Sequence, residues 1–184
     1  MDNGASSYRR FLDGDDRGIA KIVEDYKDGL ILYLNGYVSN IFIAEDLTEE
    51  TFFRLITKKP RFSGKSTFKS WLYAIGRNVA VDYLRRNSKL LGTPIEDIDN
   101  YLSQEQSLEQ AYIKEEGKIV IHRALSQLPT DYRVIIWLVF FESFSNREAA
   151  IIMKKSDRQI KDLLYHAKQS LKSKLEKDGF IYEE

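Results

Sequence analysis

The sequence predicts an all-α protein of two small helical domains joined by an acidic linker. Its 184 residues are rich in leucine, isoleucine, lysine and glutamate and include only three prolines, a composition that favours helices. No run of alternating apolar and polar residues lies between Asn-Gly or Asp-Gly turns, the pattern typical of β-hairpins. An acidic stretch with little apolar periodicity separates two periodic segments. We therefore expect domains at residues 1–88 and 117–184, with residues 89–116 as the linker and a short helix within it near 107–116.

The first domain is expected to begin with two packed helices and a third that has an acidic cap. Residues 15–26 and 30–43 are each apolar enough to form a buried helix. Asp46, followed three residues later by Glu49, predicts a helix that begins there and ends at Pro60.

A long basic helix is expected to complete this domain. Residues 58–65 form a basic loop, and Ser66 offers a cap for a helix that extends to about Arg86. The stripe expected to face the core consists of Phe68, Trp71, Leu72, Ile75, Val79 and Tyr83. The opposite, cationic face carries Ser70, Arg77, Val81 and Arg85.

The second domain carries two capping signals at the spacing of a helix-turn-helix. After Pro129, residues 132–141 predict a strongly apolar helix. Ser145 with Glu148 forms a capping box that predicts a short helix over Asn146–Met153. A second helix and its turn would complete the motif, whose second helix commonly enters the major groove of DNA.

The second capping box, Ser156 with Gln159, predicts this longer helix after a tight turn at Lys154 and Lys155. Its buried stripe is expected to contain Ile160, Leu164, Ala167, Leu171 and Leu175. Its outward face is expected to present Arg158, Asp162, Tyr165, His166, Gln169 and Lys172. Helical hairpins are common, so it is the local positive charge that favours DNA as the partner.

The charge distribution is more informative than its total, because 28 basic and 28 acidic residues give a net charge of zero. Residues 1–53 have a net charge of −6 and residues 54–89 a net charge of +9. Residues 90–116 carry −6 and residues 117–184 carry +3. The blocks predict two cationic surfaces with acidic segments between and beside them, although solvated helix faces would give similar runs.

Composition also excludes several kinds of chemistry. The chain has no cysteine and two histidines, His122 and His166, so we expect no metal site, no disulfide and no cofactor. The longest apolar run, residues 134–141, is too short to span a bilayer, and residues 1–10 lack the apolar stretch of a signal peptide. No phosphate-binding Gly-x-x-x-x-Gly-Lys loop is present. We therefore expect a soluble, cytoplasmic protein that is not an enzyme.

Two stretches of the first domain and one of the second resemble a known family. Residues 44–52 read AEDLTEETF, and residues 62–86 read FSGKSTFKSWLYAIGRNVAVDYLRR. They closely resemble region 2 of bacterial sigma factors of the extracytoplasmic function (ECF) group of the sigma-70 family. Residues 124–129, ALSQLP, and the helices that follow resemble region 4. The resemblance implies a specificity subunit of RNA polymerase that recognises the −35 promoter element as duplex and helps to open the −10 element.

The resemblance also implies which residues meet core polymerase, through its β′ and β subunits. The residues that match the family's polymerase-binding helix are Asp46, Thr48, Glu49, Phe52 and Phe53. An acidic helix edge beside an aromatic anchor suits a basic groove. Alternatively, Asp46 and Glu49 only cap the helix, and both phenylalanines pack in the core. We expect one of the two phenylalanines to be a core residue.

Contacts to the −10 element are implied for the basic loop and the long helix. The matching residues are Lys65, Lys69, Arg77, Asn78, Asp82, Arg85 and Arg86. Cations there would hold separated DNA strands, and Asn78 would reach an exposed base edge. Asp82 is alternatively a partner of Arg85 or Arg86. We expect Trp71 to pack in the core rather than stack on a base.

For the −35 element the resemblance implies contacts from the turn and the second helix of the helix-turn-helix. The candidates are Lys154, Lys155, Ser156, Arg158, Gln159, Lys161 and His166. Here the chain departs from the family pattern, because Leu163 replaces an arginine and Asp162 adds a negative charge. We expect weaker phosphate attraction or altered base readout.

The remaining implications concern the linker and other partners. In the family the connector occupies the polymerase cleft, which the acidic linker would fit, although an ordinary solvated linker would have the same composition. The family also implies an anti-sigma factor as an inhibitory partner. Two alternatives stay open at this point: a helix-turn-helix regulator that does not join polymerase, and a helical protein-interaction adapter.

Overall fold

The computed structural model describes residues 3–91, 121 and 123–177, and within them the chain forms helices and no strand. The first four helices are α1 (Asn3–Leu12), α2 (Arg17–Val38), α3 (Ile41–Lys58) and α4 (Phe68–Leu91). The later ones are α5 (Thr130–Ile136), α6 (Asn146–Met153) and α7 (Asp157–Lys177). The all-α prediction is confirmed. The linker prediction falls largely on residues outside the described ranges, as does His122.

The helix boundaries of the first domain differ from the expected ones. Residues 15–26 and 30–43 do not form two helices, because α2 continues for 22 residues through Gly29. A glycine inside a helix costs only about 1 kcal/mol relative to alanine, which packing outweighs here. The amphipathic helix α1, which buries Tyr8 and Phe11, was not predicted.

Helix α3 begins earlier than the acidic signal indicated. Asn40 is the N-cap, and its side-chain oxygen accepts a hydrogen bond from the Ile43 amide. Asp46 therefore lies in the second turn and does not cap the helix. Likewise, Thr67 rather than Ser66 receives the amide of Ser70 at the start of α4, which runs to Leu91 instead of Arg86.

The second domain follows its local signals closely. Both capping boxes are formed, at Ser145 with Glu148 and at Ser156 with Gln159, and α6 has the predicted bounds. The expected helix at 132–141 is instead α5 followed by a π-helical turn over Trp137–Phe141. The Glu142 amide donates to the Trp137 carbonyl, five residues back, as a π-turn requires.

The two helical domains pack against each other over α2, α4, α5 and α6. Their buried side chains form one continuous apolar cluster that includes Tyr73 of α4 and Phe144, whose ring centroids lie 5.1 Å apart. Arg133 is also buried at this boundary, and its Nε donates to the Gly36 carbonyl of α2 at 3.1 Å. The domains therefore share a buried interface.

Candidate functional surfaces

An acidic and aromatic stripe runs along the exposed side of α3. Its members recur at intervals of four and three residues, so they share one helix face. They are Phe42, Asp46, Glu49, Phe53 and Ile56, and all are exposed. Phe53 is 60% exposed, an unusual state for so large an apolar side chain. An exposed aromatic beside two carboxylates is suited to binding a partner that is basic and partly apolar.

Two residues assigned to this surface from the sequence do not lie on it. Thr48 is buried, and its hydroxyl donates to the Ala44 carbonyl at 2.8 Å. Phe52 is 6% exposed and packs in the core. Both lie on the buried side of α3, so Asp46, Glu49 and Phe53 are the three candidates that the exposed stripe contains. The expectation that one phenylalanine is core and the other is not is confirmed.

Exposed cations surround the loop that joins α3 to α4. In the structure the basic loop, expected at residues 58–65, spans residues 59–67, because Lys58 ends α3 and Phe68 begins α4. It carries Lys59, Arg61 and Lys65, all exposed. Its backbone turns at Lys59 and Gly64, which have φ values of 42° and 72°. Both lie in the left-handed region, which glycine adopts without strain. The loop is therefore a folded, positively charged surface beside the start of α4.

The predicted DNA-facing cations of α4 differ in their accessibility. Arg85 and Arg86 are exposed, whereas Arg77 is partly buried and interacts with the hydroxyl of Tyr37. Asn78 is also partly buried. Lys69 is partly buried, and its ammonium forms an ion pair with Glu142 of the second domain. Only part of the helix thus presents free positive charge in this arrangement.

Asp82 has a different partner from the expected one. Its carboxylate lies 3.6 Å from Nη1 of Arg54 in α3, not against Arg85 or Arg86. Arg86 instead donates to the backbone carbonyl of Asp82. Arg54 also binds Glu50 at 2.6 Å, so Asp82 belongs to a small charge network that joins α3 to α4.

Trp71 belongs to an aromatic cluster, in agreement with the core prediction. Its ring centroid lies 5.3 Å from that of Tyr8, 5.2 Å from that of Phe62 and 5.5 Å from that of Phe68. Aromatic pairs at these separations are favourable beyond their buried area. The cluster joins α1, the basic loop and α4.

The helix-turn-helix presents most of its predicted donors to solvent. The exposed ones are Lys154, Arg158, Gln159, Lys161 and His166, with Ser156 at the N-cap. Lys154 has a φ of 55° in the turn. Lys155 is partly buried and pairs with Asp131 at 3.0 Å. Ser156 and Gln159 use polar atoms in the capping box. Lys154, Arg158, Lys161 and His166 are exposed donors outside it.

The side of α4 predicted to be cationic is instead partly covered by the second domain. Ser70 is fully buried, and its hydroxyl donates to Oε1 of Glu148 at 3.0 Å. The hydroxyl of Thr67 donates to the same atom at 3.1 Å. Although desolvation favours its protonated form, hydrogen bonds from Ser145, Ser70 and Thr67 keep the pKa of Glu148 below its usual range. One glutamate therefore caps α6 and joins it to α4.

Sequence reasoning found Glu148 as a capping residue but missed its contact with the first domain. It also missed Glu142 and Arg133 at the same boundary. A charged residue within an apolar segment was the signal that could have identified them, because a buried charge needs a partner. That signal does not identify the partner.

Among the described residues, no group of acidic or histidine side chains is arranged to hold a metal ion. None of the helices described has both the length and the apolar composition of a membrane span.

Comparison with known proteins matches each domain to a region of the same protein family. Residues 22–90 match Sigma-70 region 2, and residues 118–171 match Sigma-70, region 4. The ECF RNA polymerase sigma factor SigM of Bacillus subtilis is 30% identical over 155 residues, which cover 84% of this chain and 93% of SigM.

Two solved structures share the fold. One is the sigma factor RpoE in complex with the anti-sigma factor NepR from Bartonella quintana, with a TM-score of 0.71 and 24% identity over 85% of this chain and 96% of RpoE. The other is CnrH in complex with the cytosolic domain of CnrY, with a TM-score of 0.65 and 18% identity over 96% of each chain.

Proposed function

The chain belongs to the ECF group of sigma-70 RNA polymerase sigma factors, and from this premise we propose how its surfaces divide the recognition of a promoter. Members of the family are specificity subunits of RNA polymerase, and this chain is a promoter-recognising sigma factor. The observation that carries the assignment of surfaces is their separation. An acidic and aromatic stripe, a basic loop with α4, and a helix-turn-helix occupy different elements.

The proposed division into two domains is supported by the two matched regions, residues 22–90 and 118–171. Residues 1–88 form the domain that binds core polymerase and the −10 element, and residues 117–184 form the domain that binds the −35 element. Residues 89–116, of which 89–91 form the end of α4, connect them as an acidic linker. We assign no catalytic site and no cofactor to the chain itself.

The exposed stripe of α3 is the polymerase-binding surface. Asp46 and Glu49 supply charge that steers the encounter with a basic groove of the β′ subunit. Phe53 supplies the apolar anchor, because burial of an exposed ring on binding contributes most where water is excluded. Burial of Thr48 and Phe52 in the core fixes α3 so that these three side chains point outward.

The basic loop and α4 bind the opened −10 element. Lys65, Arg85 and Arg86 are exposed and suited to phosphate contacts. Lys69 would join them once its contacts with Glu142 of the second domain are released. Arg77 and Asn78, both partly buried, are further candidates on the same helix. Asp82 organises Arg54 on the neighbouring helix rather than contacting DNA.

The helix-turn-helix binds the −35 element as duplex. Helix α7 enters the major groove with its N-terminal half, where Arg158, Lys161 and His166 are exposed donors. Lys154 in the turn reaches the phosphate backbone. Asp162, also exposed, opposes this attraction.

An anti-sigma factor is a further proposed partner. RpoE, which shares this fold, is described in complex with the anti-sigma factor NepR, and CnrH in complex with the cytosolic domain of CnrY. An inhibitor that covers the stripe of α3 would prevent polymerase binding. Exposed apolar side chains on both domains, Phe53 and Phe140 among them, offer contact area for it.

The test is specific transcription from core polymerase reconstituted with the full chain. Run-off products from genomic fragments should appear only when the protein is present. Asp46→Arg should abolish them by placing like charge against the basic groove, whereas Asp28→Arg, an equal change at an exposed position of α2, should not. Absence of specific initiation from every genomic fragment would refute the assignment.

A further inference from the structure

Helix α1 lies outside the residues that match the family model of region 2, which begin at residue 22, yet it contacts the basic loop. The Tyr8 hydroxyl donates a hydrogen bond of 2.8 Å to the Pro60 carbonyl. One turn along, the Phe11 ring lies 5.0 Å beneath Nζ of Lys59. The start of the loop is therefore held by two neighbouring side chains of α1.

The ring of Tyr8 also reaches the residues that anchor the rest of the loop. Its centroid is 5.6 Å from that of Phe68 and 5.3 Å from that of Trp71. Phe62, in the middle of the loop, packs against the same two rings. Tyr8 and Phe62 thus rest on one shared platform, and the hydroxyl of Tyr8 adds a directional bond to Pro60.

The close approach of α1 is a built feature of the fold. A Cβ atom at Gly4 would overlap the ring of Phe68 and the hydroxyl of Tyr26. Tyr8 itself is 2% exposed, so its hydroxyl is removed from water and the bond to Pro60 satisfies it. A loop held in this way loses less conformational entropy when it binds a ligand than a mobile loop does.

We propose that Tyr8 is a positioning residue for the opening of the −10 element, which it serves by fixing the basic loop. The proposal rests on the function given above. Tyr8 contacts no DNA; its hydrogen bond to Pro60 sets the start of the loop, and the packing of Phe62 sets the middle. The segment between Phe62 and α4, which carries Lys65, then faces the separated strand in a defined conformation.

The first measurement uses the free protein and does not depend on polymerase. Tyr8→Phe removes the hydroxyl and keeps the ring contacts, so the fold should be retained. Trypsin should cleave after Arg61 and Lys65 about three- to tenfold faster than in the unchanged protein, the range expected for one lost hydrogen bond. Tyr33→Phe is the matched control, because Tyr33 is a buried tyrosine bonded to Tyr37 and not to the loop. Its loop cleavage should be unchanged.

The second measurement uses the reconstituted holoenzyme on its promoter. Permanganate reactivity of thymines should show that Tyr8→Phe slows strand opening at the −10 element by about three- to tenfold. Affinity for the −35 duplex and for core polymerase should stay at the unchanged protein's values. A merely structural defect would lower all three quantities together.

The outcomes separate this proposal from the function on which it rests. Loop cleavage equal to that of the unchanged protein overturns the proposal, and so does faster cleavage with normal strand opening. If the unchanged protein itself gives no specific initiation, the proposed function fails. The trypsin comparison then still decides whether Tyr8 fixes the loop.

Discussion

Nζ of Lys69 in α4 lies 2.7 Å from Oε2 of Glu142, at the end of the π-turn in the second domain. The same ammonium donates to the Glu142 carbonyl at 2.9 Å and lies 4.8 Å from the ring centroid of Phe144. The Glu142 side chain is 11% exposed. A cation that we propose for promoter DNA is therefore bound, in this arrangement, by a side chain of the second domain.

Removal of this charge pair is predicted to separate the domains. Glu142→Gln leaves the ammonium of Lys69 without a counter-ion in a partly buried site, which should weaken the domain interface by about 1–2 kcal/mol. Because the chain has no cysteine, dyes at Ala20→Cys and Ser173→Cys, both exposed positions, would report the separation by single-molecule energy transfer. We expect a larger fraction of molecules at low transfer.

A matched control and a second variant make this measurement decisive. Glu176→Gln breaks an exposed ion pair with Lys172 and should leave the distribution unchanged. Gly29→Ala places a methyl group against the ends of Tyr73 and Glu142 and should shift the distribution as Glu142→Gln does. Equal distributions for all variants would show that the pair does not hold the domains together.

Substitution of the two neighbouring phenylalanines of α3 is predicted to affect different properties, polymerase affinity for one and stability for the other. Phe53→Ala removes an exposed ring and should change the free energy of unfolding by no more than about 0.5 kcal/mol. Its affinity for core polymerase should nevertheless fall by about 30-fold, as expected for an interface anchor. Phe52→Ala should cost about 3–5 kcal/mol of stability, because its ring is buried. Urea unfolding measures the change in stability, and titration with core polymerase measures the change in affinity. If Phe53→Ala leaves the polymerase affinity unchanged, Phe53 is not part of the interface.

Asp162 is predicted to weaken binding to the −35 duplex. It is exposed on the half of α7 that we propose enters the major groove, so Asp162→Asn should remove a repulsion from phosphates and raise affinity about two- to threefold at low salt. The gain should shrink as salt is added, since screening acts on exposed charges. Fluorescence anisotropy with duplex DNA at several salt concentrations measures this, with Glu176→Gln as the distant control. A loss of affinity would mean that Asp162 makes a favourable contact.

The raised pKa values of four buried tyrosines predict that the free energy of unfolding falls in alkali. Burial raises the pKa of Tyr8 and Tyr37 to about 12, and the pKa values of Tyr33 and Tyr73 are also raised by burial. The neutral ring is therefore favoured in the folded state. This contribution to stability is complete below pH 10, the ordinary tyrosine value, and is lost as the pH rises towards 12.

Absorbance at 295 nm and urea unfolding should together reveal this linkage. The fraction of tyrosine that resists ionisation above pH 10 should titrate only as the chain unfolds. Tyr37→Phe should flatten the loss of stability between pH 10 and 12. Tyr165→Phe, which alters a ring that is 61% exposed, should not. A slope that is identical in both variants would contradict the assignment to buried hydroxyls.

The sequence predicted those features that arise from residues close together in the chain. Both capping boxes and the bounds of α6 are confirmed, because each depends on a hydrogen bond between residues three apart. The stripe of α7 predicted from helical periodicity is buried at Ile160, Leu164, Ala167 and Leu175 and partly buried at Leu171. The division of α2 into two helices was wrong, because a glycine weakens a helix without ending it.

The sequence by itself determined the helical class, the helix-turn-helix with its caps, and the motifs that resemble the ECF group. These features depend on local spacing and on short runs of residue types. Only the tertiary structure decided which side of α4 faces solvent, that Thr48 and Phe52 are core, and that Tyr8 holds the loop at Pro60. Contacts between residues dozens of positions apart leave no periodic signal in the chain. They are fixed by how the apolar faces of separate helices pack together.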